Sequence, residues 1–322
     1  MSRYLVRRLI QAIPLLIAIS FLVFGIVEIA PGDAAQMYID PDKGADPEYI
    51  AQVRESLGLN DPVYVRYVSW LTKTFEGDFG YSFRTRRPVT FEVSERLPNT
   101  LLLGGVSLLL SVAVALPIGI ISALKRYSIL DYVLSTLALV GISVPVFWVA
   151  LLLIQVFAIQ LGWLPASGMR SVREEYEGWA AVKDVAEHMI LPAIVLSLAQ
   201  TASWSRYQRS ALLEVLDQDY IRTARAKGLR EYRVLTRHAL RNALIPIVTL
   251  IGLSVPSIVT GAFITETIFS WPGMGRLGVD AIDGRDYPVI MAVTMLSSLV
   301  IVFGNLLADI AYVWVDPRIR YD

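Results

Sequence analysis

Few side chains in this 322-residue chain are suited to bond-making chemistry, and their spacing is poor for it. There are two histidines, His188 and His238, and no cysteine. No HExxH pair and no local Ser-His-Asp set occurs, so zinc hydrolysis and serine-type acyl transfer have no apparatus. Lack of cysteine removes thiol nucleophiles, disulfides and Cys-based zinc sites. There is no GxxxxGK[ST] phosphate loop, so any ATP that drives this protein is hydrolysed elsewhere. No catalytic residue, metal ligand or cofactor is expected. The remaining candidates are acids and helix breakers within apolar runs: Glu28, Pro145, Gly261, Glu266 and Asp309. An ionisable residue inside a membrane span is a functional candidate by default. Glu266 either faces a pathway or bonds the loop after it. Asp309, about two turns before Asp316-Pro317, serves either a pore or an interfacial arginine. Pro145, Gly261, Glu266 and Asp309 are therefore the pathway candidates. Both histidines read as structural.

A second group of residues suits mechanical rather than covalent work. Asp217–Leu229 reads DQDYIRTARAKGL. Asp217 or Asp219 can cap a helix N-terminus, and Gly228 stands where a helix end wants a left-handed residue. The helix between is too short to be stable alone and must dock on something. Thr223 and Ala224 recur with Lys227 and Gly228 at a spacing of four, a small-residue strip that a partner could approach closely. The alternative is a basic amphipathic helix lying on anionic lipid. A second helix, about Glu231–Leu244, runs on from it.

The elements that must position these residues are membrane spans. The chain is 55% hydrophobic and 18% charged with a mean hydropathy of +0.53, too apolar for a soluble domain. Its net charge is zero, so no global field recruits nucleic acid. Runs of roughly 20 apolar residues cross a hydrocarbon core. They fall at Leu9–Ile29, Thr100–Leu124, Tyr132–Leu161, Met189–Trp204, Ala243–Ile268 and Val289–Val315. Proline and glycine inside them, such as Pro117, Gly141 and Pro256, mark either irregular, mobile helices or ordinary kinks. Leu9–Ile29 has a basic start but exceeds a signal-peptide core, and it reads as a retained anchor.

Arginine and lysine mark the inner loops: Arg3, Arg7 and Arg8; Lys125 and Arg126; nine cations from Arg206 to Arg241; Arg318 and Arg320. Outer loops carry Glu174, Glu175, Glu177, Asp184 and Glu187 instead. The expectation is an all-α integral membrane protein with about six transmembrane helices, both termini cytoplasmic, and a small extracytoplasmic subdomain after the first helix. That divides the chain into an N-terminal helix (1–30), an extracytoplasmic subdomain (31–98) and a transmembrane core (99–322) that contains the long inner segment at about 205–242. The subdomain shows turn signals at Asp40-Pro41, Asp61-Pro62 and Gly77-Asp78, and short helices at Pro47–Leu57 and Val63–Phe75.

The stretch YIRTARAKGLREYRVLTRHALRNALIP, Tyr220–Pro246, resembles the coupling region of ABC importer permeases, and TARAKG resembles their dipeptide/oligopeptide branch. So do Pro31-Gly32-Asp33, Leu57-Gly58-Leu59, Arg66-Tyr67, Gly77-Asp78-Phe79-Gly80, Arg96-Leu97-Pro98-Asn99-Thr100, the ETIFSWPGMG run from Glu266 to Gly275, and Asp316-Pro317-Arg318. The general loop motif, EAA-x3-G, is departed from at Arg222 and Thr223, and Pro246 lies further on than the pattern places it. A glutamate contact therefore does not carry over, whereas the glycine contact does, through Gly228. The resemblance implies an ATPase-coupling segment of Tyr220, Ile221, Arg222, Thr223, Ala224, Arg225, Ala226, Lys227 and Gly228. It implies as partners two ABC ATPase subunits, a second homologous permease subunit, an extracytoplasmic solute-binding protein and membrane lipid, with no nucleic acid. The implied cargo is dipeptides or oligopeptides, with nickel chelates, glutathione or oligosaccharides as alternatives. An intramembrane enzyme and a channel-like scaffold are the competing classes. The first lacks paired acids, and the second leaves the short inner helix without a purpose.

Overall fold

A computed structural model of the protein describes residues 2–29, 47–56, 58–172, 174–260 and 263–315. These residues are helical with no β-strand; an isolated bridge pairs Tyr81 with Pro88. Four helices are long and apolar enough to cross a membrane, or up to six elements if each of two bent pairs counts as one.

Helix α1 (Ser2–Ile29) is followed by α2 (Pro47–Ser56) and α3 (Val63–Phe75). The core begins with α4 (Val89–Leu124) and includes α7 (Gly178–Leu216), of 36 and 39 residues. At 1.5 Å per residue both exceed a hydrocarbon core of about 30 Å by some 20 Å or more, so each carries turns beyond the apolar runs at Thr100–Leu124 and Met189–Trp204. The two helices meet along small and polar side chains, as membrane helices do when packing and hydrogen bonds replace the hydrophobic drive. On α4 the buried stripe is Ser107, Ser111, Ala115 and Gly119. Ser111 Oγ donates to the Ser107 carbonyl at 2.8 Å and reaches the Ser197 carbonyl of α7 at 3.3 Å. At Gly119 the backbones come so close that a Cβ would lie 2.6 Å from the Ser205 carbonyl oxygen.

The apolar run Tyr132–Leu161 is not one straight span. Helix α5 (Ile129–Ser143) ends before Pro145, and α6 (Val146–Leu153), continuing as a π-helix over Ile154–Gln160, leaves it at 104°. Proline cannot supply the amide that would continue α5, and it disfavours helical backbone at Val144, whose dihedrals are extended. The run Ala243–Ile268 is described in two parts, α11 (Ile245–Thr260) and α12 (Phe263–Ile268), and α11 is bent by 40° from the helical segment that ends at Ala243. After it come α13 (Met274–Asp283) and α14 (Tyr287–Val315), the latter packed on α11 and α1.

Two polar knots tie segments far apart in sequence. Asp286, buried before α14, accepts from Ser82 Oγ and from the backbone amides of Phe83 and Arg84 at 3.0 and 3.3 Å. Helix α3 lies across α1 through an Arg66–Glu28 ion pair of 2.7 Å and a Tyr67–Ser20 hydroxyl contact of 2.9 Å, with Phe21 and Phe24 against the Tyr67 ring. His188 is buried with Nδ1 2.8 Å from the Asp184 carbonyl oxygen, in keeping with a structural role.

The close seam makes a direct prediction. Gly119→Leu forces α4 and α7 apart and should cost about 1–3 kcal/mol, read as a lower thermal midpoint of the purified protein in detergent. An unchanged midpoint would contradict the observed helix spacing.

Candidate functional site

The inner short helix is α8, Asp219–Ala226. Its first residue follows Gln218, whose side chain makes no cap, so neither Asp217 nor Asp219 caps it as the sequence suggests. Asp219 instead lies in the first turn and pairs with Arg222 at 3.4 Å. The C-terminal end is as expected. Gly228 has φ +75°, the left-handed conformation glycine adopts without a steric penalty. Its amide donates to the Arg225 carbonyl at 2.9 Å, and that of Leu229 to the Ala224 carbonyl at 3.4 Å. That pairing is the Schellman stop, with Leu229 folding back onto the apolar side.

An eight-residue helix cannot hold itself together. What holds α8 is burial of Ile221 and Ala224, one turn apart, against Ala123 of α4 and Leu212 of α7. Val234, Ala239 and Ala243 close the same core from the next segment. That segment runs as α9 (Glu231–Arg233), a π-helical stretch over Val234–Ala239 and α10 (Leu240–Ala243). Arg225 bridges across the turn to Glu231 with two bonds, 2.7 and 3.2 Å, and that carboxylate raises the guanidinium above its ordinary value. Tyr220 Oη accepts from Asn242 Nδ2 at 2.9 Å.

The nine residues thus separate by direction. Ile221 and Ala224 face inward, whereas Tyr220, Arg222, Thr223, Arg225, Ala226, Lys227 and Gly228 are exposed. Ala224 does not join the small strip expected for a partner. It belongs to this chain's own core, leaving Thr223, Lys227 and Gly228 on the open side. A Cβ at Gly228 would meet nothing within 4 Å. The backbone conformation, not crowding within the chain, demands glycine there.

Of the four pathway candidates, Pro145 and Glu266 lie among the described residues. Glu266 is 1% exposed and ties α4 to the first turn of α13. It accepts from Thr100 Oγ1 at 3.0 Å and from the Arg276 amide at 3.1 Å. Around it, Trp271 Nε1 donates to the Asn99 carbonyl at 3.0 Å, and Thr100 Oγ1 accepts from the Met274 amide at 2.7 Å. Of its two expected roles, then, Glu266 takes the loop contact. Pro145 is exposed at the 104° break. Gly261 and the Asp309 side chain lie outside the described residues, as do Pro31-Gly32-Asp33 and the tail from Asp316. Sequence reasoning missed the Asp131–Arg209 ion pair, in which the Asp131 carboxylate takes two bonds of 2.8 Å from the guanidinium. A signal existed in Ser128-x-x-Asp131, a helix-start pattern, with Asp131 N donating to Ser128 Oγ at 3.2 Å.

Comparison with known proteins matches residues 115–321 to the family described as binding-protein-dependent transport system inner membrane component. Residues 1–104 match its N-terminal companion. The chain is 47% identical to the oligopeptide transport system permease protein AppB of Bacillus subtilis, over the full length of both. It is 42% identical to the glutathione transport system permease protein GsiC of Salmonella choleraesuis, again over both full lengths. Among solved structures, the inward-facing MetNI methionine ABC transporter superposes with a TM-score of 0.56 at 17% identity, covering 70% of this chain and 97% of that one. That likeness concerns the fold alone.

Limited proteolysis tests how α8 is held. Ile221→Ala removes a buried anchor at a cost of about 2–5 kcal/mol. Gly228→Val places a branched side chain in left-handed backbone at roughly 1–2 kcal/mol. Both should speed tryptic cleavage after Arg225 and Lys227. Gly228→Asn and Arg222→Ala should leave cleavage near that of the parent. Equal rates in all four variants would show that neither contact holds the helix.

Proposed function

The chain belongs to the family of inner membrane components of binding-protein-dependent transport systems, and from that premise we propose how it works. It is a multi-pass cell-membrane permease subunit of an ATP-driven ABC importer. The cargo is peptide: relatives named as oligopeptide and putative peptide permeases match over essentially the whole chain. The name of the glutathione permease, also similar over its full length, points to a short peptide too.

One observation carries the mechanism. Helix α8 is bonded to α4 and α7 by its inner face and leaves its outer face free. Such a helix is a lever. An ATPase subunit seated on Thr223, Lys227 and Gly228 moves α8, and the shared apolar core passes that displacement to α4 and α7. Alternating access then follows from tilting of packed helices. Two ATPase subunits, a second homologous permease and an extracytoplasmic binding protein complete the assembly. The chain crosses the membrane as about six spans with both ends inside, the bent pairs each counting as one. The arginine-rich segment supports an inner location for α8.

The segment before α4 is the best candidate receiver for the binding protein. Its helix α3 is clamped to α1, while Tyr64, Val68 and Phe75 remain exposed on it.

Two outcomes are expected. Because the chain has no cysteine, Val172→Cys should react with an impermeant maleimide from outside intact cells and Asp219→Cys should not; an outside-reactive Asp219→Cys would overturn the topology. Tyr64→Asp with Val68→Asp should cut peptide uptake by about tenfold or more, the order of losing one hot-spot residue, while the ATPase subunits still co-purify. Full uptake in that variant would exclude α3 as a receiver, and failure of the parent chain to co-purify any ATPase would overturn the permease assignment itself.

A further inference from the structure

Arg209, ten residues before α8 and a quarter exposed, pairs with a buried carboxylate that the coupling contact does not use. Asp131, in the first turn of α5, is 2% exposed. Arg209 of α7 grips it with two parallel bonds, Nε to Oδ1 and Nη2 to Oδ2, each 2.8 Å. The remaining acceptor sites of the carboxylate are filled by Ser122 Oγ from α4, the Tyr127 amide at 3.0 Å and Ser135 Oγ at 3.3 Å. Tyr127, the residue presenting that amide, has φ +65°, so the turn joining α4 to α5 adopts an uncommon backbone conformation around the carboxylate. The carboxylate of Asp131 thus accepts from α4, α7, the turn between α4 and α5, and α5 itself.

A buried ion pair is a poor way to add stability, since apolar residues of similar volume often do as well or better. A bidentate guanidinium–carboxylate contact does add directional definition. Its position gives that definition a use. Arg209 lies one turn before Leu212, whose side chain is buried against Ile221 and Ala224 of α8. Asp131 opens α5, whose other end is the 104° break at Pro145.

We propose that the Asp131–Arg209 pair is a positioning element that carries displacement of α8 into the broken span. Movement enters α7 through the apolar core around Leu212. The two-point contact at Arg209 prevents α5 from sliding or rotating against α7, so α5 follows. Over its 15 residues, about 22 Å of helix, α5 delivers that movement to Pro145 and α6. The pair touches neither cargo nor ATPase and acts only through α5. The inference rests on the permease assignment.

The test uses the whole transporter, permeases with ATPase and binding-protein subunits, in lipid vesicles. Because this chain lacks cysteine, Lys73→Cys on α3 and Trp148→Cys on α6, both exposed, can carry spin labels once reactive cysteines are removed from the other subunits. ATP in the absence of magnesium should shift the distance between the labels. Asp131→Asn with Arg209→Met keeps an acceptor for the Tyr127 amide and leaves no lone buried charge, so the complex should assemble. In that variant the ATP-dependent shift should be lost while the ATPase subunits still hydrolyse with magnesium restored. Uncoupling should appear as an ATP-per-peptide ratio raised about fivefold or more, the lower end of typical coupling energies. A full shift in the double variant, or no shift in the parent complex, overturns the proposal. If the double variant fails to assemble, Arg209→Lys decides. It keeps the charge but makes a single-point contact, and should show a reduced shift; a full shift there overturns the proposal. Each of these results differs from failure of the permease assignment, in which no ATPase would be bound at all.

Discussion

A helix of two turns in water is unstable, and most of what the inner half of this protein does can be derived from that constraint. Helix α8 exists because Ile221 and Ala224 are pressed into an apolar core supplied by α4, α7 and the segment leading to α11. An element with independent stability could persist away from its neighbours, whereas this one persists only while seated. The Schellman stop at Gly228 and the Arg225–Glu231 bridge fix where the helix ends and how the chain leaves. The open face then keeps a fixed orientation relative to the buried one.

The rest of the core is organised to be stiff where it is crossed by polar bonds and compliant where it is broken. The α4–α7 seam is close and well bonded, with Ser107, Ser111 and Gly119 allowing contact at backbone distance. Through Thr100, Glu266 ties α4 to α12 and α13. Through Ser122, Asp131 ties α4 to α5 and α7. At Pro145 the α-helical backbone bonding between α5 and α6 is interrupted. The charged groups thus bond toward opposite ends of α4, and the hydroxyls of Ser107 and Ser111 lie between them.

The all-helical, membrane-spanning class was legible in the sequence, because hydrocarbon thickness imposes run lengths. The left-handed stop at Gly228 was legible too, since few residue types fit such backbone. The break inside Tyr132–Leu161 was not: Pro145 is visible, but proline alone does not distinguish a kink from a right-angled turn, which depends on what packs beside it. Ala224 was assigned to the wrong face because an eight-residue helix contains too few apolar residues to show its phase. Its direction was set by Ala123 and Leu212, 101 and 12 residues away in the chain, respectively. Glu266 could be placed only once Thr100 was brought beside it, across 166 residues. Pairings of that kind leave no local trace.

The Asp131–Arg209 pair also has a biosynthetic consequence. The two residues are 78 positions apart, and chains are made at about 5–20 residues per second, so Arg209 follows Asp131 by roughly 4–16 s. Through that interval the carboxylate at the start of α5 has no guanidinium. The contact that fixes α5 against α7 is therefore available only once α7 has been made, later than the synthesis of α5 itself.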